Sequence, residues 1–117
     1  MPPPSRIAVI ERDDMMRALL LRWLGEAGFA AQAATLDTLA ASGAPGFDLV
    51  VADVPGRRAM LPLLRALRAA HAGPLVLVSA RLARGGAGAL ASQHGVAALL
   101  AKPCTRAELL QAVKAAL

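Results

Sequence analysis

Four short apolar runs, each closed by a polar residue, constrain this chain more than any other feature. Ile7–Ile10 runs into Glu11, Phe47–Ala52 into Asp53, Leu75–Val78 into Ser79 and Val96–Ala101 into Lys102. Runs this short that stay apolar instead of alternating read as strands covered on both faces, the condition of a parallel sheet. In open sheets of that kind, ligands and chemistry collect outside the carboxyl ends of the strands. The pattern therefore delivers two carboxylates, a hydroxyl and an amine to one edge, with Asp53 closing the central run.

The segments between the runs read as helices. Asp13 or Asp14 caps a helix over about Met15–Ala27 that Gly28 stops. Met16, Leu19, Leu20, Trp23, Leu24 and Ala27 recur at helical spacing, which makes Trp23 a core or core-edge anchor. A weak strand follows at 29–33, and Thr35 caps a short helix over about 36–41 that ends in the breaker cluster Ser42–Gly46. The central strand spans 47–52, and Pro55-Gly56 makes a turn. Met60, Leu63, Leu64 and Leu67 set the apolar face of a third helix reaching about Ala70, with Pro62 in its first turn. Strand 75–79 is followed by a fourth helical stretch weakened by the glycines of Gly85–Gly88. Gly95 ends that stretch and Val96–Ala101 forms the fifth strand. Thr105 and Glu108 then make a capping box that opens a last helix through Leu117. Five such βα units predict a doubly wound parallel sheet with helices on both faces and right-handed crossovers.

Composition narrows the function. A chain of 117 residues carries one core, and although 56% of it is hydrophobic, no apolar stretch approaches the length of a membrane span. Met1-Pro-Pro-Pro-Ser5 lacks the pattern of a signal peptide, and a lone Cys104 builds no disulfide framework, so a cytoplasmic single domain over 1–117 is expected, with no membrane contact. The net charge of +5 comes from scattered arginines, and three aromatics are too few to stack on bases, which argues against direct nucleic-acid binding. Gly85–Gly88 does not follow a strand at phosphate-loop spacing, and no nucleophile elbow surrounds Ser79; nucleotide-binding and hydrolase readings fall away. Arg12-Asp-Asp-Met15 is no hydroxyl-rich flavin phosphate loop. His71 and His94 lie near helix ends, where they meet the dipole favourably. Cys104 is expected to be packed and unreactive.

Over essentially its whole length the chain resembles the receiver domain of bacterial two-component response regulators. Asp53 stands where that family has a phosphoacceptor, and Ser79-Ala80 where it has a Thr or Ser followed by Ala. Lys102-Pro103 matches its Lys-Pro pair, commonly a cis peptide, and Glu11 matches one member of its acidic pair. Leu24-Gly-Glu-Ala-Gly-Phe29 and Glu108-Leu-Leu-Gln111 are similar as well. The resemblance implies a flavodoxin-like fold with strand order 2-1-3-4-5, and signal transduction by phosphorelay instead of enzymatic turnover. It implies Asp53, Ser79 and Lys102 as the phosphorylation residues and Glu11, Asp53 and Pro55 as the metal set. The implied partners are a histidine kinase or phosphotransfer protein and a downstream target or fused output domain, with a second receiver in a homodimer as a further case. They would meet the face made by the fourth helical stretch, the fifth strand and the last helix.

Three positions depart from the family pattern. Its second acid, a direct Mg²⁺ ligand, falls at Arg12, whose guanidinium is expected to pair with Asp53 or Glu11; Asp13 is the residue that could fill the vacancy. Mg²⁺ binding is accordingly expected to be weak or absent. The loop after Asp53 is shorter, with Pro55-Gly-Arg-Arg58, and the switching aromatic of the fifth strand is Leu99. The alternative reading is a pseudo-receiver that works without phosphorylation as a protein interaction module.

Overall fold

The structure, a computed structural model, describes residues 3–41, 46–54, 56–79, 92 and 95–117. The elements in chain order are β1 (Arg6–Ile10), α1 (Asp14–Glu26), β2 (Ala30–Ala33), α2 (Leu36–Ala41), β3 (Leu49–Asp53), α3 (Arg57–Ala70), β4 (Leu75–Ser79), β5 (Ala98–Ala101) and α4 (Arg106–Ala116). The five strands form one parallel sheet in the order β2-β1-β3-β4-β5, as the doubly wound reading requires. The fourth helical stretch, with Ala80, Gly85–Gly88 and His94, lies outside the described residues.

Side chains of a strand alternate between faces, and the core divides accordingly. Ile7, Val9, Leu49, Val51, Val76 and Val78 pack with Leu20 and Leu24 of α1 and Leu109 and Val113 of α4. Ala8, Val50, Ala52, Leu75 and Leu77 pack on the other face with Leu39 of α2 and Met60, Leu64 and Leu67 of α3. Trp23 is partly buried against the first cluster, as its helical spacing predicts. Cys104 is buried in the same cluster. Burial pushes its thiol pKa up, which leaves it a poor nucleophile.

The helix ends are settled by short-range chemistry. Asp13 caps α1, its Oδ2 accepting the Met16 N–H at 2.7 Å, and Gly28 closes the turn after it at φ +95°. Thr105 Oγ1 accepts the Glu108 N–H while Glu108 Oε1 accepts the Thr105 N–H, the full reciprocal capping box.

Several expectations need correction. β3 begins at Leu49, because Asp48 is held by Arg6, whose N–H donates to Asp48 Oδ2 at 2.7 Å, and Phe47 lies under the Arg6 guanidinium. The first strand, expected over 6–11, ends at Ile10, and the fifth, expected from Val96, starts at Ala98. Leu19 is 37% exposed and lies outside the stripe that α1 buries. Pro62 is the sixth residue of α3, beyond the first turn: the helix already starts at Arg57. Its missing N–H would have bonded the Arg58 carbonyl, and because Arg58 and Pro62 both lie on the exposed side, water can take that place.

Candidate functional site

Strand register brings the site together. The β1–β3 pairing sets Ile7 beside Leu49 and Val9 beside Val51, and the same offset carried two residues further sets Glu11 beside Asp53. Both follow the parity of the side chains that face α1 and α4. Hydrogen bonds run on past the strands, from Val54 N–H to the Val78 carbonyl and from Lys102 N–H to the Ser79 carbonyl, so the loop starts are tied to the sheet. Lys102 follows β5 with the same parity as Ala98 and Leu100, on the side of Glu11 and Asp53.

The outcome is a three-residue ion cluster. Lys102 Nζ donates to Asp53 Oδ1 at 2.7 Å and to Glu11 Oε1 and Oε2 at 3.0 and 2.9 Å. The side chains of Glu11 and Asp53 are 2% and 12% exposed, and that of Lys102 18%. Burial alone would lower the Lys102 pKa, but the hydrogen bonds and charges of Asp53 and Glu11 outweigh it and hold the ammonium above its ordinary value. Glu11 Oε1 also accepts the Asp13 N–H at 3.2 Å, and Arg17 donates to the Glu11 carbonyl at 3.0 Å. These contacts fix the end of β1 against the start of α1.

Ser79 is buried, and its Oγ donates to the Val54 carbonyl at 3.1 Å. Its parity is that of Leu75 and Leu77, opposite to Asp53, which is why its hydroxyl meets the backbone after Asp53. The Lys102–Pro103 peptide is cis. Pro55 lies outside the described residues.

Arg12 corrects an expectation. It is exposed and, among the described residues, makes no ion pair with Glu11 or Asp53; Lys102 holds both acids. Arg12 lies in the bend beyond the end of β1, exposed, and lines a cleft whose wall includes Ile10, Leu36 and Leu63 as well as Glu11 and Asp53. Asp13 is engaged as the α1 cap. Leu99 is half-buried within the α2/α3 face.

His71 also departs from expectation. It is the C-cap residue of α3, but burial lowers its pKa, and the neutral ring lies 3.2 Å from the Pro74 carbonyl. A neutral ring draws no benefit from the helix dipole. The sequence reading missed Arg17 and the Val54 carbonyl. Arg17 could have been found as the partner of Asp14 three residues before it, a spacing that places both side chains on one side of α1.

No protein-family model matches the chain, and no curated protein matches it in sequence. Solved structures match it closely in shape. A response regulator receiver protein from Burkholderia phymatum is 28% identical, with a TM-score of 0.75 over 96% of this chain and 94% of that one. A sensor protein from Polaromonas sp. JS666 is 26% identical, with a TM-score of 0.77 over 97% and 96%. The chemotaxis protein CheY4 of Vibrio cholerae is 16% identical, with a TM-score of 0.79 over 97% and 99%. Among the described residues no helix is long and apolar enough to cross a membrane. Strand order, helix placement and these neighbours together give the chain the fold of the CheY-like response regulator receiver domains.

Proposed function

We propose that this domain is a phosphorelay receiver in which Asp53 accepts a phosphoryl group from the phosphohistidine of a histidine kinase or phosphotransfer protein. The observation that carries the reading is Lys102 Nζ, 2.7 Å from Asp53 Oδ1 at the edge where the strands end. An Asp53 oxygen forms the new P–O bond as the P–N bond to the donor imidazole breaks, the electron pair passing to that nitrogen. Lys102 offsets the negative charge that accumulates at the acceptor. Ser79 would exchange the Val54 carbonyl for a phosphoryl oxygen, which couples acceptance to the loop after β3. The output would be a changed protein-interaction face, read by a target protein or an output domain.

A resident Mg²⁺ does not fit the described donors. Mg²⁺ demands near-octahedral oxygen ligation, whereas here Lys102 already bridges the two carboxylates and the chain has Arg12 at the position of the second acid of the pair. Among the described residues no three His, Cys, Asp or Glu side chains gather around a space for an ion. Phosphoryl acceptance is therefore slow and indifferent to Mg²⁺. The same observation favours a second reading, a pseudo-receiver whose Lys102 bridge holds one state permanently.

Incubation with acetyl phosphate, with and without Mg²⁺, followed by intact-mass measurement separates the two. A gain of one phosphoryl group that disappears in Asp53→Asn is the expected result. No gain under any condition leaves the pseudo-receiver, and a gain that survives Asp53→Asn sinks Asp53 as the acceptor and the pseudo-receiver alike. Arg12→Asp is expected to make acceptance faster and dependent on Mg²⁺.

A further inference from the structure

Beside the Lys102 cluster the surface opens into a concavity with Glu11 and Asp53 in its wall. A cleft of about 800 Å³ opens between the ends of β1 and β2, the start of α2 and the first half of α3. Its size is in the upper range of small-molecule pockets, roughly 300–1,000 Å³. Small side chains create it: Ala33 and Ala34 at the end of β2 and Ala59 in α3 leave space that larger residues would fill. Ile10, Leu36 and Leu63 supply the apolar walls.

Charge at the mouth selects the occupant. Among the described lining residues Glu11 and Asp53 are the only acids, and Lys102 bonds both. Arg17 is engaged by Asp14 and the Glu11 carbonyl. Arg12 is different: exposed, at the rim, and making no hydrogen bond or ion pair among the described residues. Among the described lining residues the exposed, unpartnered charge is thus the Arg12 guanidinium, its fork of donors unused above an apolar interior.

We propose that this cleft is a binding site for a small amphipathic anion, an acid group on an apolar body of ring size, with Arg12 as the anchor for the acid. A neutral apolar molecule would leave the guanidinium unused, and a cation would be repelled by it. A wholly polar anion would gain nothing from Ile10, Leu36 and Leu63. The cleft borders the proposed phosphoryl acceptor, since Asp53 is in its wall, but the test reads binding to the unmodified domain and does not depend on phosphorylation.

The probes are 8-anilinonaphthalene-1-sulfonate, which has both an acid and an apolar body, and its uncharged relative N-phenyl-1-naphthylamine. Fluorescence titration of the folded domain is expected to give saturable one-to-one binding of the sulfonate. Arg12→Glu should weaken it by about tenfold or more, while Lys114→Glu, an equal charge change on exposed α4, should alter it by less than about twofold. The uncharged probe should not distinguish Arg12→Glu from the natural domain. Amide shifts on adding the sulfonate should concentrate at Ile10, Ala34, Leu36 and Leu63. Equal loss in both charge variants, shifts spread along the whole chain, or absence of saturation would each overturn the proposal. So would a concentration-dependent dimer that excludes the probe, because a second copy would then be the occupant.

Discussion

Two cations at opposite ends of the sheet each join several elements, and they differ in what they hold. At the carboxyl end Lys102 joins the ends of β1, β3 and β5 through two carboxylates. At the amino end Arg68 joins the end of α3, the loop before β4 and the approach to β5 through carbonyls: Nη1 donates to His71 O at 3.2 Å and Gly73 O at 2.7 Å, and Nη2 to Gly95 O at 2.9 Å. Carboxylates can be modified, protonated or replaced in charge, whereas backbone carbonyls are fixed partners. The chain thus keeps a permanent clamp at one end and a bond that chemistry can redirect at the other.

Removing the cation at the carboxyl end should have the largest effect. Lys102→Met strands two nearly buried carboxylates beside each other, and breaking a buried pair from one side costs about 3 kcal/mol. The Lys102 pKa is raised, so its contribution is fully present below the ordinary lysine value of about 10.4 and is lost only as pH rises through the raised one. Urea denaturation at neutral pH measures the loss, and a cost under about 1 kcal/mol would mean that the acids are better solvated than their burial implies.

Arg68→Met comes next, at about 2 kcal/mol for three charge-assisted bonds to carbonyls in a partly exposed setting. The comparison is sharpened by salt. Lys102 bonds opposite charges and Arg68 bonds dipoles, so high salt should narrow the deficit of Lys102→Met more than that of Arg68→Met. Equal salt responses would erase the distinction between the two ends.

Asp53→Asn is expected to shift stability by less than about 1 kcal/mol, because it leaves Lys102 and Glu11 as a balanced pair. Combined with Lys102→Met it should restore part of what that variant loses, since only Glu11 then remains unpaired. A double-mutant cycle reads the coupling directly. A large loss from Asp53→Asn alone would show that Asp53 holds the fold as firmly as Lys102 does.

Much of this contrast is legible from sequence, and the reasons for the rest are physical. Apolar runs with polar ends specify the strands, and the strand-end position of Glu11, Asp53 and Lys102 specifies their edge. Charge alone points Arg12 at Asp53 or Glu11, but Lys102 bonds both acids and leaves Arg12 to the solvent. Pro62 is hard to place from sequence because Gly56, the N-cap, has no side chain to announce the start of α3. Arg68 was not singled out, since a clamp on carbonyls has no partner residue type to look for. The cleft likewise arises from alanines, whose absence of bulk leaves no motif.

The smallest expected effect lies within the amino end and tests whether it is as fixed as its carbonyl partners suggest. His71 is buried beside Arg68, with its ring on the Pro74 carbonyl and against Gly73, where an added Cβ would stand 2.9 Å from Nε2. Burial lowers its pKa, the Pro74 hydrogen bond raises it, Arg68 lowers it and Asp48 raises it, with a net fall. A base whose folded pKa is depressed binds protons more readily when unfolded, so stability is intact above the unfolded value of about 6.5 and declines as pH falls below it towards the folded value. Between about pH 7.5 and 5.5, a window chosen to stay above the ordinary carboxylate range, stability should therefore fall, and His71→Gln should flatten the slope. Because the guanidinium of Arg68 opposes protonation of the ring, Arg68→Met should reduce the same slope, while Lys114→Met on α4, exposed and not among the charges that act on the ring, should leave it unchanged. A slope that persists in His71→Gln would place the titrating group elsewhere and leave the amino end independent of pH.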